Sequence, residues 1–144
     1  MKEGTIAEIE GPYGRFDYTT QNKEQIWIAG GAGITPFLSF AQDIQNNGFK
    51  KKIDVYYCAR NESEQVYMDE LNETTARLKN FRVISFCADK KGQLTGDQVN
   101  KISGLKNKSI FICGPPPMMH SLKKQFRNLG VNNGDIHMED FGFK

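Results

Sequence analysis

The 144-residue sequence is long enough for one self-sufficient domain, able to bury roughly two-thirds of its unfolded surface without disulfide staples. Its 38% hydrophobic and 25% charged content, with 14 glycines, is that of a slightly glycine-rich globular chain and excludes disordered and fibrous classes. Nineteen basic against 17 acidic residues leave a net charge of +2, too small an excess to point to nucleic acid or an anionic membrane as the main partner.

The three cysteines, Cys58, Cys87 and Cys113, form no pair and no CxxC spacing. With no secretory signal pattern, they predict a reducing compartment, the cytoplasm, and no metal site is expected. The most apolar stretch, Ile26 to Ala41, is interrupted by Gly30, Gly31, Gly33, Thr35, Pro36 and Ser39, so it is not read as a membrane span. Lys50-Lys51-Lys52 reads as a solvated corner between a helix and a strand.

In chain order, Thr5 to Ile9 alternates like a half-exposed strand, and Gly11-Pro12-Tyr13-Gly14 turns the chain. Ile26-Trp27-Ile28-Ala29 is a buried-strand signal ending in glycines. Phe37, Phe40, Ala41 and Ile44 then share a helical face, with Pro36 suited to the first turn and Gly48 to the stop. Ile53 to Cys58 predicts a second strand, and Gln65 to Leu78 a helix with Tyr67, Leu71 and Leu78 aligned. Arg82 to Cys87 predicts a third strand, followed by a short helix over Gly96 to Ile102. Ser109 to Cys113 predicts a fourth strand, and Met118, Leu122, Phe126 and Leu129 share the face of a helix that Gly130 ends. Asp135 to Met138 predicts a short fifth strand.

Strand and helix alternate about four times, which predicts an α/β fold: a doubly wound, parallel five-stranded sheet, Rossmann-like, in the order 3-2-1-4-5. Ligands of such sheets bind outside the carboxyl ends of the strands, where the winding reverses.

Two loops fall at those ends. Gly30-Gly31-Ala32-Gly33-Ile34-Thr35-Pro36 joins the first strand to the first helix, where glycines let backbone approach a pyrophosphate and the helix start offers N–H groups. Its pattern is G-x-G-x-x-P, and the Lys and Ser/Thr of a Walker loop are missing. A plain turn that needs glycine explains the same residues. Cys113-Gly114-Pro115-Pro116-Pro117-Met118-Met119 occupies the equivalent place after the fourth strand and predicts a second rigid loop with exposed N–H groups. Cys58 and Cys87 read as core thiols, whereas the loop position of Cys113 suits either a core thiol or one set against a cofactor ring. At the end of the second strand stands Arg60, where an ordinary dinucleotide site has an acid for the ribose hydroxyls. Arg60, Lys90 and Lys91 read as solvated residues or as the rim of an adenosine pocket.

Together these residues resemble the NAD(P)H-binding domain of the ferredoxin–NADP reductase superfamily, in its ferric-reductase, NADPH-oxidase and flavohaemoglobin-like branch. The resemblance runs from about Ile6 to Lys144 and rests on four ordered motifs: Gly11-Pro12-Tyr13-Gly14-Arg15-Phe16, Gly31 to Pro36, Cys113 to Met118, and Glu139-Asp140-Phe141-Gly142-Phe143. It implies that Gly31 and Gly33 cradle the pyrophosphate, with Ile34 and Pro36 in the same loop, and that Thr35 contacts the nicotinamide end. Cys113 would lie beside the nicotinamide C4, and Gly114, Pro115 and Met118 would shape the opposite loop. Glu139 would sit near flavin and nicotinamide, and Phe141 would stack over the isoalloxazine until nicotinamide displaces it. Arg60 would serve the adenosine end. A C-terminal anchor on the core is the plainer reading of Phe141 and Phe143.

The resemblance also implies FAD on a preceding barrel held by an Arg-x-Tyr-Ser/Thr motif. Arg15-Phe16-Asp17-Tyr18 has the wrong spacing for it. Residues 1–25 are therefore expected to be a linker or the end of that FAD-binding barrel, and residues 26–144 the NAD(P)H-binding domain. The expected activity is an NAD(P)H:flavin oxidoreductase of the ferric-reductase kind, moving hydride to FAD and electrons on to iron, haem or an iron–sulfur partner. The expected partner is an FAD-binding domain of the same parent polypeptide, with a membrane haem domain or an iron–sulfur acceptor beyond it; the chain would then be the cytoplasmic domain of a membrane protein. NADPH-using relatives often carry Ser-Arg after the third strand; Ala88-Asp89 here leans slightly to NADH, while Arg60, Lys90 and Lys91 pull the other way. A non-catalytic dinucleotide-binding regulatory or docking module is the alternative.

Overall fold

The computed structural model describes residues 16–140. The predicted strand at Thr5 to Ile9, the turn at Gly11 to Gly14, and Phe141 and Phe143 lie outside the described residues. Five parallel strands form one sheet in the order β3-β2-β1-β4-β5: β1 Glu24–Gly30, β2 Ile53–Ala59, β3 Phe81–Cys87, β4 Lys108–Cys113 and β5 Ile136–Glu139. The helices are α1 Thr35–Asn47, α2 Met68–Arg77, α3 Ala88–Lys91, α4 Gly96–Ser103 and α5 Pro116–Asn128. None of the described helices is long and apolar enough to cross a membrane.

Alternation of side chains along the central strands divides the core between two layers. Trp27, Ala29, Phe111 and Cys113 point to the side that also holds Phe37, Ala41, Ile44 and Leu71 from α1 and α2. Ile26, Ile28, Ile110 and Ile112 point to the side of Val99, Met119, Leu122 and Phe126 from α4 and α5. The first layer is built round Trp27, which stacks on Phe37 at 5.5 Å and meets Tyr18, Phe40 and Phe81 edge-on. Its indole N–H donates to buried Gln25 at 2.8 Å, and the Gln25 amide donates to the Tyr18 carbonyl at 2.9 Å, so the indole and the Gln25 amide are both satisfied.

Several elements differ from the sequence reading for packing reasons. The first strand starts at Glu24, before the boundary expected at residue 26, and Phe16 and Tyr18 already pack into the α1-side core. The second helix starts at Met68, because Glu62–Glu64 forms a separate 3-10 turn and Gln65 is buried, bridging the Tyr57 carbonyl and the Ser85 hydroxyl. Tyr67 is consequently exposed and does not share the buried face with Leu71. On α5, Met119 is buried in place of the expected Leu129, which lies past the helix end and is exposed. The predicted stops hold: Gly48 has φ +81° directly after α1, and Gly130 has φ +96° after α5.

One buried polar network ties β2, β3 and α4 together. The Arg82 guanidinium forks onto Asp54 at 3.0 and 2.7 Å, and the Ser103 hydroxyl donates to Asp54 at 2.7 Å. Since Ser103 spends its one proton on Asp54, Tyr56 donates to Ser103 across their 2.5 Å contact. Burial pushes the Asp54 carboxyl upward, but the hydrogen bonds and positive charge of Arg82, with Ser103 and Lys52, outweigh it and hold the group below its ordinary range.

Candidate functional site

The strand order reverses between β1 and β4, so their carboxyl ends open the crevice that doubly wound sheets offer to ligands. β1 runs out at Gly30 into a 3-10 turn, Gly31–Ile34, that feeds directly into α1. The first N–H groups of such a turn have no partner within it. β4 runs out at Cys113 into Gly114 and the prolines that open α5.

The two loops lock together through missing side chains. A Cβ on Gly33 would lie 2.1 Å from the Cys113 carbonyl oxygen, and one on Gly114 would lie 3.1 Å from the Gly30 backbone. A Cβ on Gly30 would strike Met118 Sδ at 2.6 Å and Pro115 at 3.0 Å. Gly31 differs. Its φ is +55°, and nothing stands within 4 Å of where its Cβ would be, so its open face is available to a ligand.

The β4 loop supplies fewer N–H groups than were expected of it. Pro115, Pro116 and Pro117 have no amide proton, which leaves Gly114 and Met118 as donors at the head of α5. The loops are therefore unlike: the glycine turn offers donors to an anion, and the proline turn offers a rigid apolar wall.

A crevice of about 480 Å³ opens beside them, toward β2 and β3. Gly30, Gly31, Pro115, Pro117 and Met118 form one side, Cys58, Ala59 and Arg60 the β2 end, and Phe86 and Ala88 the β3 end. The volume lies within the roughly 300–1,000 Å³ typical of small-molecule sites, and the lining is mostly apolar. Of the residues singled out from sequence, it gathers Gly31, Arg60, Pro115 and Met118. Gly33, Ile34 and Gly114 lie in the junction beside it, and neither Thr35 nor Pro36 lines it. The Thr35 hydroxyl, exposed at the start of α1, donates to the Ala32 carbonyl at 2.9 Å.

Cys113 and Glu139 lie on the other side of this junction. They are register partners on β4 and β5, and Cys113 is fully buried toward the α1 layer. Burial, reinforced by the charges of Glu139 and Asp140, pushes the Cys113 thiol up to about 12, so it is a neutral thiol at physiological pH. Burial also raises the Glu139 carboxyl above its ordinary value.

Glu64 was not singled out by the sequence, yet it lines the crevice and turns back onto Arg60. The guanidinium meets Glu64 Oε1 at 3.2 and 2.9 Å, and the Arg60 backbone N–H donates to Oε2 at 3.3 Å. Hydrogen bonds and charge from Arg60 hold the Glu64 carboxyl below its ordinary value. The readable signal was Asn61-Glu62-Ser63-Glu64, a cap residue followed three positions later by an acid; Asn61 does accept the Glu64 N–H, at 3.2 Å. Nearby, Lys90 pairs with Glu62 at 2.8 Å, and the Lys91 ammonium sits 5.3 Å from the Phe86 ring centre.

Known proteins share this fold. The family described as oxidoreductase NAD-binding domain matches residues 27–124. A component of the Na(+)-translocating NADH-quinone reductase of Neisseria meningitidis is 31% identical over 99% of this chain, which spans only 38% of that relative's length. Among solved structures, the flavohemoglobin of Malassezia yamatoensis, with bound FAD and heme, superposes with a TM-score of 0.80 at 24% identity, over 91% of this chain and 36% of its own. Phthalate dioxygenase reductase, a modular structure for electron transfer from pyridine nucleotides to a [2Fe-2S] centre, gives a TM-score of 0.69 at 26% identity, over 91% and 39%. The sheet order, the paired loops at its reversal point and the sequence match agree: the chain belongs to the oxidoreductase NAD-binding domain family, within the ferredoxin–NADP reductase superfamily.

Proposed function

We propose that this chain is the nicotinamide-dinucleotide half of a flavin oxidoreductase. The intact protein would draw hydride from NAD(P)H, pass it to FAD held outside this fold, and send electrons to iron, haem or an iron–sulfur acceptor. The observation that carries the reading is the crevice at the β1/β4 reversal, bordered by a glycine whose open, positive-φ backbone leaves room for a ligand. In this reading the described chain from Phe16 onward acts as the dinucleotide domain, since β1 starts at Glu24 and Phe16 and Tyr18 already pack into its core.

The residues present fit such a cofactor. The N–H groups of the Gly31–Ile34 turn would receive the pyrophosphate, and the apolar crevice with Arg60 would take the adenosine end. The nicotinamide end would lie toward Thr35, Cys113 and Glu139. When bound, the nicotinamide supplies the hydride and the flavin accepts it. Cys113, kept neutral, would orient the ring without competing as a nucleophile. The thiol has no exposure as the chain stands. Phe141, two residues beyond Glu139, would stack over the flavin until nicotinamide displaces it. Asp89 after β3 and the pairing of Arg60 and Lys90 with carboxylates favour NADH over NADPH. The likeness to a component of an NADH-quinone reductase supports an acceptor within a membrane complex.

Stopped-flow reduction of the flavin in the intact protein by NADH and by NADPH tests the reading. Rapid bleaching of the flavin on mixing is the expected result. Binding without bleaching would make the chain a regulatory or docking module instead.

A further inference from the structure

Standard dinucleotide sites place an acid at the end of the second strand to accept the adenosine ribose hydroxyls. This chain has Arg60 there, and the acid arrives four residues later from a different element. Among the described residues lining the crevice, Arg60 is the one cation and Glu64 the one anion, and they are bound to each other. We propose that Glu64 is a specificity-determining residue: by gripping the Arg60 fork and presenting its own carboxylate to the crevice, it disfavours an adenosine ribose bearing a 2′-phosphate and so favours NADH over NADPH. This rests on the reading that the crevice takes the adenosine end of the dinucleotide.

Glu64 is held in place rather than waving in solvent. It closes the Glu62–Glu64 turn, and its own backbone N–H donates to the Asn61 side-chain oxygen at 3.2 Å. The next residue, Gln65, is buried and fastened at 2.7 Å to the Tyr57 carbonyl and at 2.8 Å to the Ser85 hydroxyl. The carboxylate uses one oxygen on the guanidinium and the other on the Arg60 backbone N–H. The Arg60 carbonyl in turn accepts the Asp89 N–H at 2.9 Å, which brings another acidic residue to the same rim.

A 2′-phosphate carries more than one negative charge and needs charge-assisted donors. Each cation at this edge is already committed: Arg60 to Glu64, Lys90 to Glu62, and Lys91 to the face of Phe86. A 2′-hydroxyl asks for the opposite, an acceptor, and a carboxylate is one.

The test titrates the 144-residue chain with ADP-ribose and with 2′-phospho-ADP-ribose, following amide resonances of Gly31, Arg60 and Met118. The wild type should bind ADP-ribose more tightly. Glu64→Gln, isosteric and on an exposed turn, should narrow that preference by about tenfold, the effect of one like charge removed near a surface site. The double variant Arg60→Ala/Glu64→Gln should keep the part of the narrowing that comes from the lost carboxylate and lose the part the freed guanidinium supplies, so its preference should fall between those of the wild type and Glu64→Gln. A preference unchanged in Glu64→Gln, or one narrowed just as far in the double variant, would overturn the two-part role of Glu64 while leaving the crevice as the adenosine site. If neither ligand moves those resonances, the crevice reading itself fails, and the proposal with it.

Discussion

Gly33 lies so close to Cys113 that a single added carbon would sit 2.1 Å from the Cys113 carbonyl oxygen. The two loops at the head of the sheet are therefore one rigid unit, closed backbone to backbone. Neither can shift without the other, and so the glycine turn and the proline wall keep a fixed spacing.

Gly33→Ala and Gly31→Ala should separate packing from ligand approach. The first forces backbone apart and should destabilise the fold by roughly 1–3 kcal/mol or more, read as a lower denaturant midpoint. The second meets no neighbour but places a side chain at φ +55°, a strain of roughly 1 kcal/mol. Gly31→Ala should thus lower stability less, yet weaken ADP-ribose binding more per unit of stability lost. Equal effects on both measurements would contradict the assignment of the open face to the ligand.

Cys113→Ala should slow flavin reduction in the intact protein by tenfold or more, with a smaller change in dinucleotide affinity. A neutral, fully buried thiol orients by shape and polarizability, so the rate should show no thiol ionisation between about pH 6 and pH 9. An unchanged stopped-flow rate would remove Cys113 from the reaction.

Stability should fall on the alkaline side. The folded Cys113 and Cys58 thiols are both pushed up to about 12, in each case mainly by burial, from an ordinary value near 9. Above pH 9 the unfolded chain releases protons that the folded chain keeps, so stability is full below that pH and is lost as pH rises toward 12. Cys113 alone would account for roughly 2 kcal/mol by pH 11. Tyr56 and Tyr57, also raised by burial, act in the same direction. Thermal melts from pH 8 to 11 should show the decline, and Cys113→Ala should flatten it.

Arg82→Ala should leave the Asp54 carboxylate buried with only Ser103 as a side-chain partner, lowering stability at pH 7 by roughly 1–3 kcal/mol, discounted because Arg82 is half exposed. Asp54 is held below its ordinary value near 3.8, so its contribution is present above that pH and is lost as pH falls through the folded value. The variant's melts should therefore differ most from the wild type near neutrality and converge in acid.

Much of this was legible along the chain because it is written in local periodicity. Apolar runs such as Ile26 to Ala29, glycine stops at Gly48 and Gly130, and a glycine or proline loop after each central strand required only neighbours in sequence. Residues whose partners lie on another element were not legible in that way. Tyr67 shared a helical spacing with Leu71, but the burial of Gln65 began the helix later and turned the tyrosine outward. The proline loop was expected to donate N–H groups, although three of its residues have none.

Hydrophobic period along the chain was enough to predict the α/β alternation and a parallel sheet in the observed order, while the ordered glycine and proline motifs carried the resemblance to the family. What each loop residue does waited on the folded chain. Packing made Gly33 a contact glycine and Gly31 an open one, set Cys113 on the opposite side of the junction from the crevice, and returned Glu64 to Arg60. These are distances between atoms brought together by the fold, and no spacing along the chain encodes them.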